Sequence, residues 1–175
     1  MGITGCSTAK VFKNLKTKIF CWDDNEHVRK KIKRLNFKVN KFWLNQDSVD
    51  KIVISPGIDI NKCKIKKYLK ENSKKIITDL DLFFELNRNA SIISITGTNG
   101  KSTTCKIIEK ILRTAGFKTT TVGNIGKPIL FSKNLNNKNI FILEVSSYQL
   151  EYSKPIRSKH AVILNITPDH LERHK

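Results

Sequence analysis

Residues 92–104 read Ile-Ile-Ser-Ile-Thr-Gly-Thr-Asn-Gly-Lys-Ser-Thr-Thr, a stretch that leaves a chain little choice of fold. A β-branched apolar run (Ile92, Ile93, Ile95) leads into Gly97, Thr98, Asn99 and Gly100, and Lys101 and Ser102 then open a helical pattern. Strand, tight loop and helix in that order make an anion site. Glycines let backbone N–H groups approach phosphate oxygens, the helix start presents unpaired N–H groups with a partial positive charge, and Lys101 adds a mobile cation. Ser102 supplies a hydroxyl of the kind that ligates Mg²⁺ on nucleotide phosphates. The expected ligand is a nucleoside triphosphate with magnesium. The general phosphate-loop pattern places four residues between its glycines, whereas here only Thr98 and Asn99 separate Gly97 from Gly100. The plain alternative is a simple turn; the preceding strand, the Lys-Ser pair and the uninterrupted helix weigh against it.

Composition narrows the remaining choices. A chain of 175 residues with 39% hydrophobic content suffices for one domain or two small ones. No apolar run approaches the roughly 20 residues that span a bilayer, and the start has no signal-peptide layout, so a cytoplasmic protein without a membrane partner is expected. Cys6, Cys21, Cys63 and Cys105 lie far apart with no C-x-x-C pair, which points to reduced, mostly buried thiols rather than a zinc site or a disulfide framework. The formal charge of +18 raises nucleic-acid binding as a possibility. The excess is nearly all lysine, spread along the chain and accompanied by abundant Asn and Ile. That bias fits a genome poor in G and C as well as it fits a binding face, and no nucleic-acid partner is expected.

Met1-Gly2-Ile3-Thr4-Gly5 is followed by a helical stretch (7–14) and a strand (18–22) that ends in Asp23-Asp24. Glycine loop, helix, strand and terminal acid are the order of a dinucleotide-type βαβ unit without its first strand; a frayed terminus with chance glycines is the bland reading. The pattern continues with an amphipathic helix over 26–35, an extended edge over 38–43 and a buried strand over 51–54 stopped by Ser55-Pro56-Gly57. Such a turn lies where open α/β sheets bind ligands, and it can equally be only a turn. A helix (62–71), a short strand (75–78) and a third helix (80–86) lead to Asn87-Arg88-Asn89, the expected boundary between domains at 1–88 and 89–175.

After the phosphate loop the pattern gives a helix over 103–115, stopped by Gly116, and a strand over 118–122. The loop Gly123-Asn124-Ile125-Gly126 follows, and Lys127-Pro128 opens a short helix. An apolar strand over 139–145 carries one carboxylate, Glu144, near its C-terminal end, where a charge is costly without a counter-ion. Residues 146–151 form a loop or helix, and a buried strand (161–165) ends in Ile166-Thr167-Pro168-Asp169-His170. Parallel strand ends converge on one sheet edge, so Glu144 and His170 should approach the phosphate loop. Glu144 and Ser102 are the natural magnesium pair. From chemistry alone His170 reads as a capping or core histidine or as a ligand.

At this point the residues match a known pattern. Thr96-Gly97-Thr98-Asn99-Gly100-Lys101-Ser102-Thr103, Gly123-Asn124-Ile125-Gly126, the block Leu143-Glu144-Val145-Ser146-Ser147-Tyr148-Gln149-Leu150-Glu151 and the block from Asn165 to His174 together resemble the Mur ligases of peptidoglycan synthesis. The Glu-x-Ser-Ser-x-Gln-Leu block and the Asn-Ile-Gly loop resemble the D-glutamate-adding branch. Ser55-Pro56-Gly57-Ile58 and Ile77-Thr78-Asp79 look like that branch's first domain. The resemblance implies an α/β chain: a Rossmann-like UDP-binding domain without its first strand, then an incomplete P-loop-type ATPase domain with a mainly parallel sheet. It also implies a monomer.

The implied roles carry over residue by residue. Gly97 to Thr103 would hold ATP, with Lys101 on the β- and γ-phosphates. Ser102 and Glu144 would bind Mg²⁺, and His170 a second Mg²⁺, so that Lys101, Glu144 and His170 carry the catalysis. Thr4, Asp23, Asp24, Ser55, Pro56 and Gly57 would line the UDP site; Asn124, Ser146 and Gln149 would face the sugar and lactoyl-alanine end. The implied substrates are UDP-N-acetylmuramoyl-L-alanine, ATP and D-glutamate, joined through an acyl phosphate. Members of this family also have a third domain for the amino acid and a carbamylated lysine beyond the segment matching His170. Neither falls within this sequence, and the expectation is a fragment that holds the phosphate loop and does not complete the ligation alone. The alternatives are another ligase of the same superfamily, folylpolyglutamate synthases included, and a non-catalytic nucleotide-binding remnant.

Overall fold

The structure, a computed structural model, describes residues 1–14, 17–44, 49–125, 128–131, 139–154 and 156–174. It is an α/β arrangement in which every ladder among the described residues is parallel. Helices α1 (Ile3–Asn14) and α2 (Glu26–Arg34) come first, followed by the two-residue strand β1 (Ile52–Val53), α3 (Lys66–Glu71), β2 (Ile76–Ile77) and α4 (Asp79–Leu86). Then come β3 (Ser91–Thr96), α5 (Lys101–Thr114), β4 (Lys118–Gly123), β5 (Asn139–Glu144), α6 (Ser147–Tyr152), β6 (His160–Ile163) and α7 (Leu171–His174).

The larger sheet has the order β4-β5-β3-β6. Phe141, Ile142 and Leu143 on β5 are all buried, the continuous apolar run expected of a parallel strand covered on both faces. On one face α5 packs Cys105 against Ile95 and Ile142. On the other, Leu80 and Phe83 of α4 join Ile92, Phe141, Leu143 and Val145. Helix α4 starts from a capping box: Thr78 Oγ1 accepts from Asp81 N at 3.3 Å and Asp81 Oδ2 accepts from Thr78 N at 2.7 Å. Such a cap contributes about 1 kcal/mol and fixes the angle at which Phe83 meets Phe141.

The first part of the chain is built from smaller pieces. The strand expected over 18–22 is reduced to a single parallel bridge, Cys21 to Val39. The bridge bonds run to the 38–40 side, Cys21 N to Lys38 O at 2.9 Å and Asn40 N to Cys21 O at 3.3 Å. Toward β1 the segment faces an apolar cavity of about 620 Å³, lined by Ile19, Phe20, Ile52 and Ile54 among others, so a ladder has no partner there. The helix expected over 62–71 begins only at Lys66, and α1 begins at Ile3, so that Thr4 and Gly5 lie in the helix rather than in a glycine loop. Cys6 N already donates to Gly2 O, and Ser7 and Thr8 hydroxyls donate to Thr4 O, which commits that turn to the helix. All four cysteines are free thiols, and Cys21 and Cys105 are buried. No helix among the described residues is long and apolar enough to cross a membrane.

A polar seam, beside the apolar packing of α4, joins residues before β3 to α6, α7 and the segments around them. Arg173, 9% exposed at its side chain, donates to Ile58 O at 2.8 Å, to Tyr152 Oη at 3.0 Å and to Glu151 Oε2 at 2.8 Å, with Asp59 Oδ2 at 3.5 Å. Thr78 Oγ1 and Ser153 Oγ lie 2.9 Å apart, and Asp81 Oδ1 accepts from Lys154 N at 2.7 Å. Tyr152 packs on the cluster of Ile52, Ile54 and Leu69.

Candidate active site

Register brings the chemistry to one sheet edge. Glu144, the last residue of β5, pairs with Ile95 on β3 and with Gly123 on β4. The chain leaves β3 one residue beyond Ile95 and enters the loop that starts α5. The carboxylate of Glu144, only 1% exposed, is thereby held beside the helix head. Its Oε2 accepts from Ser102 Oγ at 2.8 Å and its Oε1 from Asn124 Nδ2 at 2.9 Å. A hydroxyl and a carboxylate this close at a helix N-terminus are the oxygen donors a hard divalent cation takes, and Mg²⁺ fits in exchange for the hydrogen bond between them.

The loop itself is strained into shape. Gly97 (φ +144°) and Gly100 (φ +84°) adopt left-handed conformations, and a Cβ at Gly97 would meet Leu164 Cβ at 3.1 Å and Asn165 N at 3.2 Å. Lys101 Nζ is folded back on the loop carbonyls, donating to Gly97 O and to Thr98 O at 2.8 Å. Asn165 clasps the loop from the end of β6: its Oδ1 accepts from Asn99 N at 2.9 Å and its Nδ2 donates to Asn99 O at 3.0 Å. Thr98 Oγ1 and the Thr167 backbone exchange bonds of 3.0 and 3.1 Å. Thr103 follows Ser102 in the first turn of α5.

His170 packs beside Tyr148 and Asp169 rather than on the Glu144 pair. Its ring lies tilted against Tyr148, centroids 4.8 Å apart, and its Nε2 is 3.6 Å from Asp169 Oδ2. Its carbonyl accepts from Arg173 N and His174 N, which starts α7, so the residue does cap a helix through its backbone. Among the described residues no group of three or more His, Cys, Asp or Glu side chains is placed to hold a metal ion.

A cleft of about 530 Å³ collects most of the residues assigned to substrate. Thr4, Asp23, Ser55, Pro56 and Gly57 form one wall. Asn124, Ser146 and Gln149 belong to the other, and Asn124 links the cleft to Glu144. Asp24 is outside it. Its oxygens accept from Trp22 Nε1 at 2.9 Å and Lys64 N at 2.8 Å, a structural use that leaves the cleft to Asp23. Asp23 in turn pairs with the amino group of Met1. Ser146 and Gln149 are each other's partners in the capping box of α6, a Ser-x-x-Gln signature readable in the sequence. Gly126 and Lys127 lie outside the described residues.

Three residues without an expected role stand out. Asn165 is the amide two residues beyond β6, beside the loop. Gly123 has φ +110°, and a Cβ there would collide with the carbonyl of Glu144. Asp79 lines the cleft at 3% exposure, and burial pushes its carboxyl up to about 6. A Thr-x-x-Asp pattern at 78–81 marks a helix start but does not say that its first residue faces a cleft.

The chain matches known proteins along its length. Residues 95–175 match the Mur ligase middle domain. The UDP-N-acetylmuramoylalanine–D-glutamate ligase of Rickettsia bellii is 41% identical over 99% of this chain and 38% of its own length. Its counterpart in Rickettsia prowazekii is 42% identical over 100% of this chain and 39% of its own length. This chain thus spans about two-fifths of the curated relatives it matches. Among solved structures, the UDP-N-acetylmuramate:L-alanyl-gamma-D-glutamyl-meso-diaminopimelate ligase from Neisseria meningitides aligns with a TM-score of 0.50 and 16% identity, over 89% of this chain and 54% of that one, a likeness of fold. On the strength of the middle-domain match and these relatives, the chain belongs to the Mur ligase family.

Proposed function

We propose that this chain carries the ATP site and the UDP-substrate cleft of an ATP-dependent amide ligase that adds D-glutamate to UDP-N-acetylmuramoyl-L-alanine, a cytoplasmic step of peptidoglycan synthesis. The observation that carries the reading is the contact of Ser102 Oγ with Glu144 Oε2, 2.8 Å, at the head of the helix that Lys101 opens. In the reaction the alanyl carboxylate attacks the γ-phosphorus of ATP and ADP leaves; the amine of D-glutamate then attacks the acyl phosphate, releasing phosphate and forming the amide. Lys101 exchanges its loop carbonyls for the β- and γ-phosphates, which are the stronger, charged acceptors. Loop N–H groups and the helix dipole stabilise the charge on the transferring group. Ser102 and Glu144 would hold Mg²⁺, which supplies charge neutralisation at that group when bound. Asn124 keeps Glu144 turned toward Ser102 and places the cleft against the phosphate site, so that carboxylate and phosphorus approach as an intramolecular pair.

Calorimetric titration with ATP and Mg²⁺ tests the reading. The chain should bind, Lys101→Ala should weaken binding at least about tenfold, and Glu144→Gln should remove the Mg²⁺ dependence while leaving the fold intact by circular dichroism. A folded chain with no affinity for ATP, or one indifferent to both substitutions, overturns it. Phosphate release dependent on D-glutamate would extend the assignment from the two binding sites to the whole ligation.

A further inference from the structure

Asp79 is a buried acid that the mechanism above leaves unused. It is the first residue of α4, 3% exposed, and lines the cleft with Ser55, Pro56, Asn124, Ser146 and Gln149. One oxygen, Oδ1, accepts from Leu80 N at 3.1 Å. The carboxylate also takes a bond from its own backbone N–H, and among the described residues no side chain donates to it and no cation pairs with it. The charged groups facing it are Asp81 on its own helix and, across the cleft, Asp23 with the amino group of Met1. Two local N–H bonds use about half of a carboxylate's acceptor sites, and the remainder, lodged in a cleft wall, is open to a donor that enters the cleft.

We infer that Asp79 is a specificity residue of the cleft, its carboxylate accepting from a neutral donor of the ligand, a hydroxyl or an amide N–H, and never from its phosphates. The inference rests on the cleft being the site for a UDP-linked substrate. An anion in this position repels a diphosphate, so the phosphates must lie away from α4, and the donors available are the ribose hydroxyls of the nucleotide and the hydroxyl and amide groups of the sugar and alanyl part. Raised by burial to about 6, the carboxyl changes state within an accessible range, and the acceptor is lost as the pH falls through that value.

The experiment is calorimetric titration of the chain with UDP-N-acetylmuramoyl-L-alanine, and separately with UDP, using wild type, Asp79→Asn and Asp79→Ala. At pH 7.5 both variants should bind the UDP-sugar about tenfold or more weakly, Asp79→Asn because its amide presents a donor where an acceptor is needed. Wild-type affinity should fall between pH 7.5 and pH 5 while the variants stay flat, and thermal melts separate this from unfolding. Equal losses for both ligands place the donor on the nucleotide; a loss confined to the UDP-sugar places it on the sugar and alanyl part. Variants that bind like wild type overturn the role of Asp79 alone. A wild-type chain that binds neither ligand overturns the cleft reading and this role with it.

Discussion

The phosphate loop and the Ser55-Pro56-Gly57 wall of the cleft face related tasks with opposite construction. The loop is built into the larger sheet: β3 runs into it, Asn165 and Thr167 clasp it, and Gly97 fits so closely against Leu164 and Asn165 that a Cβ would press on both. The wall rests on a two-residue strand and an apolar cavity, and beyond it Ile58 O is held by Arg173 from the other part of the chain. A Cβ at Gly57 would meet nothing within 4 Å. Under the proposed function, the charged end of a nucleotide would meet a surface fixed by its own ladder. The cleft wall takes part of its position from the seam, so it responds to how the two parts are joined.

Matched glycine substitutions break the comparison most sharply. Gly123→Ala drives a methyl group into the carbonyl of Glu144 at a φ of +110°, on backbone that cannot retreat without parting β4 from β5. Steric strain and overpacking together should cost about 3 kcal/mol or more and take ATP binding with it. Gly57→Ala, in open space, should change stability by no more than about 0.5 kcal/mol. Urea unfolding of the two variants checks this directly. Equal stabilities would mean that β4 and β5 are far more pliable than their ladder indicates.

Asp79 sharpens it from the cleft side. Its carboxyl is raised from 3.8 to about 6 by burial, so folding favours the protonated form. The native state then binds more protons than the unfolded chain between those values, and stability falls as the pH rises from about 4 to about 6. Above that the full penalty is present, at most about 3 kcal/mol for a group this buried. Asp79→Asn should melt at a higher temperature than wild type at pH 7.5 and close to it at pH 4. A variant less stable than wild type at pH 7.5 would show that Asp79 holds the structure together instead of taxing it.

The contrast also explains what the sequence disclosed. Glu144 and the loop could be read because each signal is local: a lone carboxylate ending an apolar strand, and glycines between a strand and Lys-Ser. Parallel pairing then brings those ends together with little freedom left. The segment 18–22 has strand-forming residues, yet a ladder depends on a partner in register along its length, and composition says nothing of that. The cleft role of Asp79 and the seam through Arg173 depend on residues far apart in sequence, Asp79 with Gln149 and Arg173 with Ile58, which no periodicity encodes. Asp23 and Asp24 show the same limit. Two adjacent acids after a strand look equivalent, but the indole of Trp22 and the N–H of Lys64 claim one of them.

The smallest expected effect concerns the clasp on the loop. Asn165→Ala removes both side-chain bonds to Asn99 but leaves the backbone bond from Thr98 N to Asn165 O, 3.1 Å, in place. Because this amide is exposed, water replaces its bonds and the stability change should be about 1 kcal/mol. Nucleotide affinity should fall severalfold, since Asn99 must then be ordered at the expense of binding rather than in advance. An increase in affinity would carry a different meaning: the N–H of Asn99, now engaged with Asn165, would be one that the phosphates take when released. Asn165→Asp separates the two, because it keeps the acceptor for Asn99 N, loses the donor to Asn99 O and adds a negative charge beside the phosphates. Under the clasp reading it should bind ATP more weakly than Asn165→Ala, with the gap narrowing as salt screens the added charge.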